Sequence, residues 1–262
     1  MLIYPDIDPV AFFVGKFPVR WYGVMYLASY LIAWQLARLR GGQGWNGETL
    51  ESLLFSLFVG LVVGGRLGQV LFYMPGYYLA NPLEILRIWE GGMSFHGGLV
   101  GTLLAALLWA KWHARSWLEV GDFIAPLAPV GLLLGRIGNF INGEIWGRVA
   151  DPSLPWAMVF PHVDRLPRHP AQLYHAALEG LLLFVLLWIY SRKPRPTGAV
   201  SGAFLLGYGV FRCIVEFFRE PDAGIFGFSY TISMGQWLSL PMIAAGLLLL
   251  WRARTTRQDK LS

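Results

Sequence analysis

The chain has 262 residues, of which 55% are apolar or aromatic and 14% are charged, and its formal net charge is +5. A soluble domain carries about a quarter charged residues, so this composition excludes a disordered chain and argues against a soluble enzyme. The mean hydropathy of +0.49 favours a membrane protein. The single cysteine, Cys213, excludes an intramolecular disulfide and a zinc ribbon.

Seven apolar stretches, taken in chain order, predict an all-α polytopic membrane protein with seven transmembrane helices. The lipid interior requires helices or a closed barrel, and the alternating pattern of barrel strands is absent. We therefore expect residues 1–262 to form a single membrane domain. The predicted spans are residues 21–39, 50–73, 94–112, 120–141, 171–190, 198–218 and 233–252.

The basic residues predict the orientation of these spans. Those that follow the first, third, fifth and seventh spans share one side of the membrane: Arg38, Arg40, Lys111, Arg115, Arg192, Lys193, Arg195, Arg252, Arg254, Arg257 and Lys260. Fewer lie on the opposite side, and Arg66, Arg136 and Arg212 fall inside or at the ends of spans. The positive-inside rule predicts an outer N-terminus and a cytoplasmic C-terminus. Basic residues that cluster beside spans usually determine the orientation of a membrane protein and do not indicate nucleic-acid binding.

Two further patterns predict local structure. Residues 142–170 are expected to form a small cap on the outer side, where several prolines argue against a continuous helix and the apolar run at 157–160 favours a short strand. Small residues four apart inside the spans predict close approaches between helices. These pairs are Gly60 with Gly64, Gly97 with Gly101, and Gly131 with Gly135.

Arg136 is a charge at the end of an apolar run, followed by glycines, two asparagines and a glutamate. Arg136 and Asn139 are three residues apart on one helix face, and we expect Gly135 and Gly138 to admit a ligand close to the backbone. Asn142 and Glu144 would then lie at the mouth of the pocket. A guanidinium suits phosphate because it donates two parallel hydrogen bonds. Alternatively, Arg136 binds no ligand and only extends its charged group from the end of the helix to the membrane interface.

Other polar residues in the spans have two interpretations each. His96 begins the third span between glycine pairs, and is either a helix–helix hydrogen-bonding residue or a proton acceptor. Arg212 and Glu216 are four residues apart and can neutralise each other or serve a site. Arg66 is either a second cation for the candidate phosphate site or forms a structural ion pair with an acid such as Glu90.

Five motifs together resemble one family, the phosphatidylglycerol:prolipoprotein diacylglyceryl transferases. They are RWYGVMYL at 20–27, SFHGGLVG at 94–101, GRIGNFINGEIWGR at 135–148, RHPAQLYH at 168–175 and GYGVFRCIVEFFREPD at 207–222. The resemblance implies a bacterial inner-membrane enzyme with seven spans and a periplasmic N-terminus. Such an enzyme moves diacylglyceryl from phosphatidylglycerol to the lipobox cysteine of a prolipoprotein and releases glycerol 1-phosphate.

The resemblance also implies site residues and a mechanism. The positions that match functional positions of the family are Tyr22, His96, Arg136, Asn139, Glu144, Gly147, Tyr208, Arg212 and Glu216. Arg136 and Arg212 would bind the lipid phosphate, and His96 or Glu144 would take the thiol proton. Asn139, Asn142 and the tyrosines would orient the headgroup, although tyrosines in membrane proteins are by default interfacial. No metal or other cofactor is expected.

His175 departs from the family, whose members often have glutamate after QLY; Glu179, one turn on, is a possible substitute. The expected partners are phosphatidylglycerol, a prolipoprotein signal peptide with its lipobox cysteine, and the bilayer. Two other function classes stay open at this point. A non-catalytic lipid-binding protein or lipid transporter could use the same arginine pocket, whereas a structural scaffold would not need charges in the membrane interior.

Overall fold

The computed structural model describes residues 2–42, 44–88, 91–220 and 233–258. The chain divides into two compact units. The first consists of Met1–Gln35 with Asp122–Ser262, and the second of Leu36–Gly121.

The described residues are mostly helical. The α-helices are α1 (Trp21–Arg40), α2 (Gly47–Gly68), α3 (Pro75–Ala80), α4 (Phe95–Trp112), α5 (Trp117–Ile124), α6 (Ala128–Ile141), α7 (Ala171–His175), α8 (Leu183–Tyr190), α9 (Ala199–Glu216) and α10 (Met234–Gln258). A π-helical turn at Gln69–Tyr73 extends α2, and another at Ala176–Leu182 joins α7 to α8. A 3-10 turn at Pro82–Leu86 follows α3.

Several of these helices can cross a membrane, so the chain is a polytopic membrane protein. Within the described ranges, four stretches are long and apolar enough: Gly47–Tyr73, Ala171–Tyr190, Ala199–Glu216 and Met234–Thr255. The pair α5 and α6 makes a fifth if it forms one span. Helices α1 and α4 match predicted spans but are not in this set, because aromatic, glycine and basic residues dilute their aliphatic content. The number of seven spans stays a prediction.

The predicted helix over 120–141 is wrong in one respect, because it is broken. Helices α5 and α6 meet at 49°. Pro126 lies in the break and Pro129 lies in the first turn of α6. Proline has no N–H to donate and disfavours helical geometry in the residue before it, so the two prolines separate the halves.

In the second unit, α2 packs against α4 through glycines, as predicted. A Cβ built on Gly60 would lie 2.6 Å from the Cβ of Ala105, and one built on Gly64 would lie 2.7 Å from the Cα of Gly101. Any side chain there would push the helices apart. The prediction for Gly131 and Gly135 is wrong: a Cβ on either meets no described atom within 4 Å. Small-residue spacing permits close approach but does not require it.

Arg66 has a structural role in this second unit. The residue is 6% exposed, and its guanidinium donates to the backbone carbonyls of Ile85 at 2.8 Å, Gly91 at 2.7 Å and Gly92 at 3.0 Å. It also lies 5.0 Å from the ring centre of Tyr78. Arg66 therefore holds the segment after α3 through carbonyl oxygens. Glu90, the acid considered as its partner, lies outside the described residues.

The cap segment folds without a helix in residues 142–170. Strand β1 (Leu2–Ile3) pairs in parallel with β4 (Met158–Val159), which pairs antiparallel with β5 (Pro167–Arg168). The predicted short strand at 157–160 is therefore confirmed. Another pair, β2 (Val10–Val14) and β3 (Phe17–Arg20), forms a hairpin that leads into α1.

Candidate active site

Buried charges from three helical segments meet in the first unit. Arg136 lies on α6, Glu179 lies on the π-helical turn between α7 and α8, and Arg212 and Glu216 lie on α9. Glu179 is 0% exposed and Glu216 is 2% exposed. Charges inside membrane-spanning helices are costly and usually functional. This cluster is therefore the candidate site.

A chain of hydrogen bonds connects Arg136 to the loop after α6. Arg136 Nη1 donates to Asn139 Oδ1 at 3.3 Å, and Asn139 Nδ2 donates to Glu144 Oε1 at 3.1 Å. Asn142 Nδ2 donates to the same oxygen at 3.1 Å, and Gln172 Nε2 donates to the Glu144 carbonyl at 2.7 Å. The predicted grouping of Arg136, Asn139, Asn142 and Glu144 is present. Gln172, which is 0% exposed, was missed.

The backbone that carries Glu144 is strained. Ile145 has φ of 61°, a left-handed conformation that is unfavourable for a β-branched residue, and Gly143 has φ of 66°. His162 Nε2 holds the turn by donating to the Gly143 carbonyl at 2.7 Å. Such strain costs on the order of 1–3 kcal/mol and persists only where surrounding contacts enforce it.

Gly147 lies between two backbone segments. Its N–H donates to the carbonyl of His169 at 2.9 Å, and its own carbonyl accepts from Arg168 Nη1 at 2.9 Å. A Cβ built on Gly147 would lie 2.6 Å from the carbonyl oxygen of Phe218. Only glycine fits here, and this contact joins the Glu144 loop to the end of α9.

Arg212 and Glu216 form the predicted pair, with Arg212 Nη2 at 2.7 Å from Glu216 Oε1. Glu216 Oε1 also accepts from Arg219 Nη1 at 3.2 Å. Arg219, which the sequence analysis did not place in the site, therefore joins the cluster. The Glu216 carboxylate therefore partly neutralises the positive charges of both Arg212 and Arg219.

Glu179 lies between the two site arginines. Its Oε2 is 3.9 Å from Arg136 Nη2, and its Oε1 is 3.8 Å from Arg212 Nη1. Gly180 allows this position, because a Cβ there would lie 2.7 Å from Leu133 of α6. Glu179 entered the sequence analysis only as a substitute for an acid at position 175. In the sequence, a role for Glu179 was indicated only by the position of its carboxylate in the middle of a predicted span.

The two tyrosines differ in their surroundings. Tyr22 packs on Gly138, where an added Cβ would lie 3.0 Å from the Tyr22 ring. The expectation that Gly138 leaves room for a ligand is therefore wrong, because Tyr22 fills that room. Tyr208 lies on α9, one turn before Arg212, and stacks on Phe204 with ring centres 5.9 Å apart.

His96 belongs to the second unit. It is exposed near the start of α4, and its ring packs edge-on against Phe95 with ring centres 5.6 Å apart. Its proposed role in proton transfer stays a prediction.

The charges of the cluster suit an anionic ligand. Arg136, Arg212 and Arg219 carry three positive charges, and Glu179 and Glu216 carry two negative charges, which leaves one net positive charge. A phosphodiester carries one negative charge. Arginine binds such a group through paired N–H donors.

The helices and the buried charges define an integral membrane protein with a polar site among its helices. The model of the prolipoprotein diacylglyceryl transferase family matches residues 9–252, and the chain belongs to this family. The family predicted from the motifs is confirmed, and the chain is a transferase.

Curated relatives carry the same description over nearly the whole chain. The phosphatidylglycerol–prolipoprotein diacylglyceryl transferase of Dechloromonas aromatica (strain RCB) is 62% identical, covering 94% of this chain and 95% of its own. The enzyme of that name from Nitrosomonas europaea is 59% identical, covering 97% and 92%. That from Methylibium petroleiphilum is 56% identical, covering 97% and 99%.

Proposed function

We propose that the cluster of Arg136, Glu179 and Arg212 holds the phosphate of phosphatidylglycerol in a diacylglyceryl transfer reaction. The observation that carries this proposal is the pair of guanidinium groups from two helices around one buried carboxylate, with one net positive charge. Family membership over residues 9–252 supports the reaction itself.

The reaction transfers the diacylglyceryl group from phosphatidylglycerol to the lipobox cysteine of a prolipoprotein, the first step of lipoprotein maturation. The thiol loses its proton, and the sulfur attacks C3 of the glycerol in the diacylglyceryl unit. The C3–O bond breaks as the C–S thioether bond forms. The electron pair of the broken bond leaves with the phosphate oxygen, and the product is glycerol 1-phosphate.

The arginines would act on the phosphate in both the bound lipid and the transition state. Within the described residues, the Arg136 guanidinium makes one hydrogen bond, to Asn139, so further N–H donors remain for a ligand. A preorganised donor directed at developing negative charge contributes about 3–4 kcal/mol in a water-poor site. Glu216 would keep Arg212 in place through their 2.7 Å contact.

Two groups are candidates for the proton acceptor. Glu144 is connected to Arg136 through Asn139, so it is part of the same hydrogen-bonded network as the proposed phosphate site. His96 has the side chain best suited to moving a proton near neutral pH. The pH–rate profiles of Glu144→Gln and His96→Gln would separate them, because loss of the acceptor removes the limb that reports its titration.

The remaining site residues would orient the substrate or support the loop. Asn139 and Asn142 would fix the Glu144 carboxylate and the headgroup, since both amides bind Glu144 Oε1. Tyr22 and Tyr208 would line the headgroup side. Gly147 would keep the loop close to the end of α9.

The membrane arrangement is part of the same proposal. We place the seven spans predicted from the sequence across the bacterial inner membrane as one domain over residues 1–262, with the N-terminus periplasmic and the C-terminus cytoplasmic. Residues 142–170 would then be a periplasmic cap. The distribution of lysine and arginine supports this orientation.

The test is a reaction with purified protein, phosphatidylglycerol and a lipobox peptide, followed by mass spectrometry. We expect a diacylglyceryl-sized mass gain on the peptide cysteine together with released glycerol phosphate, and no gain on a Cys→Ser peptide. Binding of the lipid by folded protein without either product would contradict the proposal and favour a lipid-binding protein or lipid transporter.

A further inference from the structure

His175 and Glu179 form a fully buried hydrogen-bonded pair beside the site arginines. His175 Nδ1 is 2.7 Å from Glu179 Oε1, and both side chains are 0% exposed. They are four residues apart, on one face where α7 runs into the π-helical turn.

The geometry defines which nitrogen of His175 carries hydrogen. An ionised carboxylate can only accept a hydrogen bond, so His175 Nδ1 is the donor to Glu179. Arg212 Nη1 lies 3.4 Å from the same nitrogen. That approach is not a hydrogen bond, because two donors face each other. In neutral His175 the other nitrogen, Nε2, has a free lone pair, and it has no hydrogen-bond partner among the described residues.

The hydrogen bond fixes the carboxylate between two cations. Glu179 Oε2 is 3.9 Å from Arg136, and Oε1 is 3.8 Å from Arg212. Both distances exceed the range of a hydrogen bond, so Glu179 attracts the guanidinium groups without occupying their N–H donors. The N–H donors that face Glu179 therefore stay available for a ligand. If Glu179 rotated toward either arginine, it would occupy N–H donors of that arginine. The positive charge of the other arginine would then be less compensated.

We propose that His175 is a positioning residue for the transfer reaction: its Nδ1–H holds Glu179 where that carboxylate spaces Arg136 and Arg212 for one phosphate. The inference rests on the proposed phosphate site. It assigns no proton transfer to the imidazole.

Two substitutions separate positioning from proton transfer. His175→Asn places an amide nitrogen the same number of bonds from Cα as Nδ1, so it can still donate to Glu179. His175→Gln places its amide at the distance of Nε2 and withdraws the Nδ1 donor. Neither amide can accept a proton near neutral pH.

Activity is measured on the full-length proteins, with phosphatidylglycerol varied at saturating lipobox peptide. We expect His175→Asn to stay within about 3-fold of the wild type and His175→Gln to lose about 10- to 100-fold in kcat/KM for the lipid, the range for a hydrogen bond to a charged group. In a second series, with the peptide varied at saturating phosphatidylglycerol, the KM for the peptide should not change. Equal and large losses in both variants would overturn the proposal in favour of proton transfer by the imidazole. Two variants with wild-type kinetics would overturn it outright.

A double-mutant cycle decides the question if His175→Asn does not fold. Because His175 acts through Glu179, His175→Gln should have little further effect in a Glu179→Gln background. Additive losses would contradict the proposal. Wild-type protein that binds lipid and forms no product would contradict the proposed function instead, and this result is visible before any variant is made.

Discussion

Replacing Arg136 by lysine keeps the positive charge but removes the planar fork. In the structure Nη1 of the guanidinium donates to Asn139 at 3.3 Å, whereas Nη2 lies 3.9 Å from Glu179, beyond hydrogen-bond distance. Lysine carries its three N–H donors on a single nitrogen, so it cannot donate the two parallel hydrogen bonds that a planar guanidinium makes to a phosphate. We therefore expect Arg136→Lys to lose about 100-fold or more in kcat/KM for phosphatidylglycerol, since loss of one directed donor typically costs about 100- to 1,000-fold.

The assay is initial-rate formation of the diacylglyceryl peptide by mass spectrometry, with phosphatidylglycerol varied in mixed micelles. Arg87→Lys is the matched control, because that side chain is 50% exposed and pairs with Glu84. It should retain wild-type kinetics, since surface pairs contribute little. An Arg136→Lys enzyme with more than half of the wild-type kcat/KM would refute bidentate phosphate binding by this residue.

Three further predictions concern stability, each read from thermal unfolding of the purified protein. Gly147→Ala should destabilise by about 1–3 kcal/mol, because its Cβ would meet backbone carbonyls; an unchanged midpoint would contradict the tight packing. Gly64→Ala should lower the free energy of unfolding by a similar amount. Gly131→Ala, in an open position, should raise it by up to about 1 kcal/mol. Equal effects of the two substitutions would be inconsistent with the α2–α4 contact.

The third of these concerns pH. Hydrogen bonds from the Arg168 guanidinium hold the pKa of Asp164 below its usual range. The stability from this pair is therefore present above the unfolded pKa of about 4 and is lost as pH falls through the lower native value. Asp164→Asn should flatten the acid side of the midpoint–pH curve, and an unchanged slope would show that the pair contributes nothing.

Local sequence patterns predicted the helices well because each depends on nearby residues. Apolar runs produced helices close to the predicted ranges, and the spacing of Arg212 and Glu216 brought them together because residues four apart share a helix face. Prolines in the cap prevented a helix there. The break between α5 and α6 was missed because the apolar run continues through Pro126.

What the sequence by itself determined was the membrane class, the family and the polar motif around Arg136, because composition and contiguous residues carry that information. Only the tertiary structure decided which charges meet. Arg66 binds backbone carbonyls rather than an acid, and Glu179 reaches both Arg136 and Arg212 because Gly180 brings its helix against α6. Such contacts depend on how each helix is rotated and how closely it packs. Neither quantity can be read from the periodicity of a single segment.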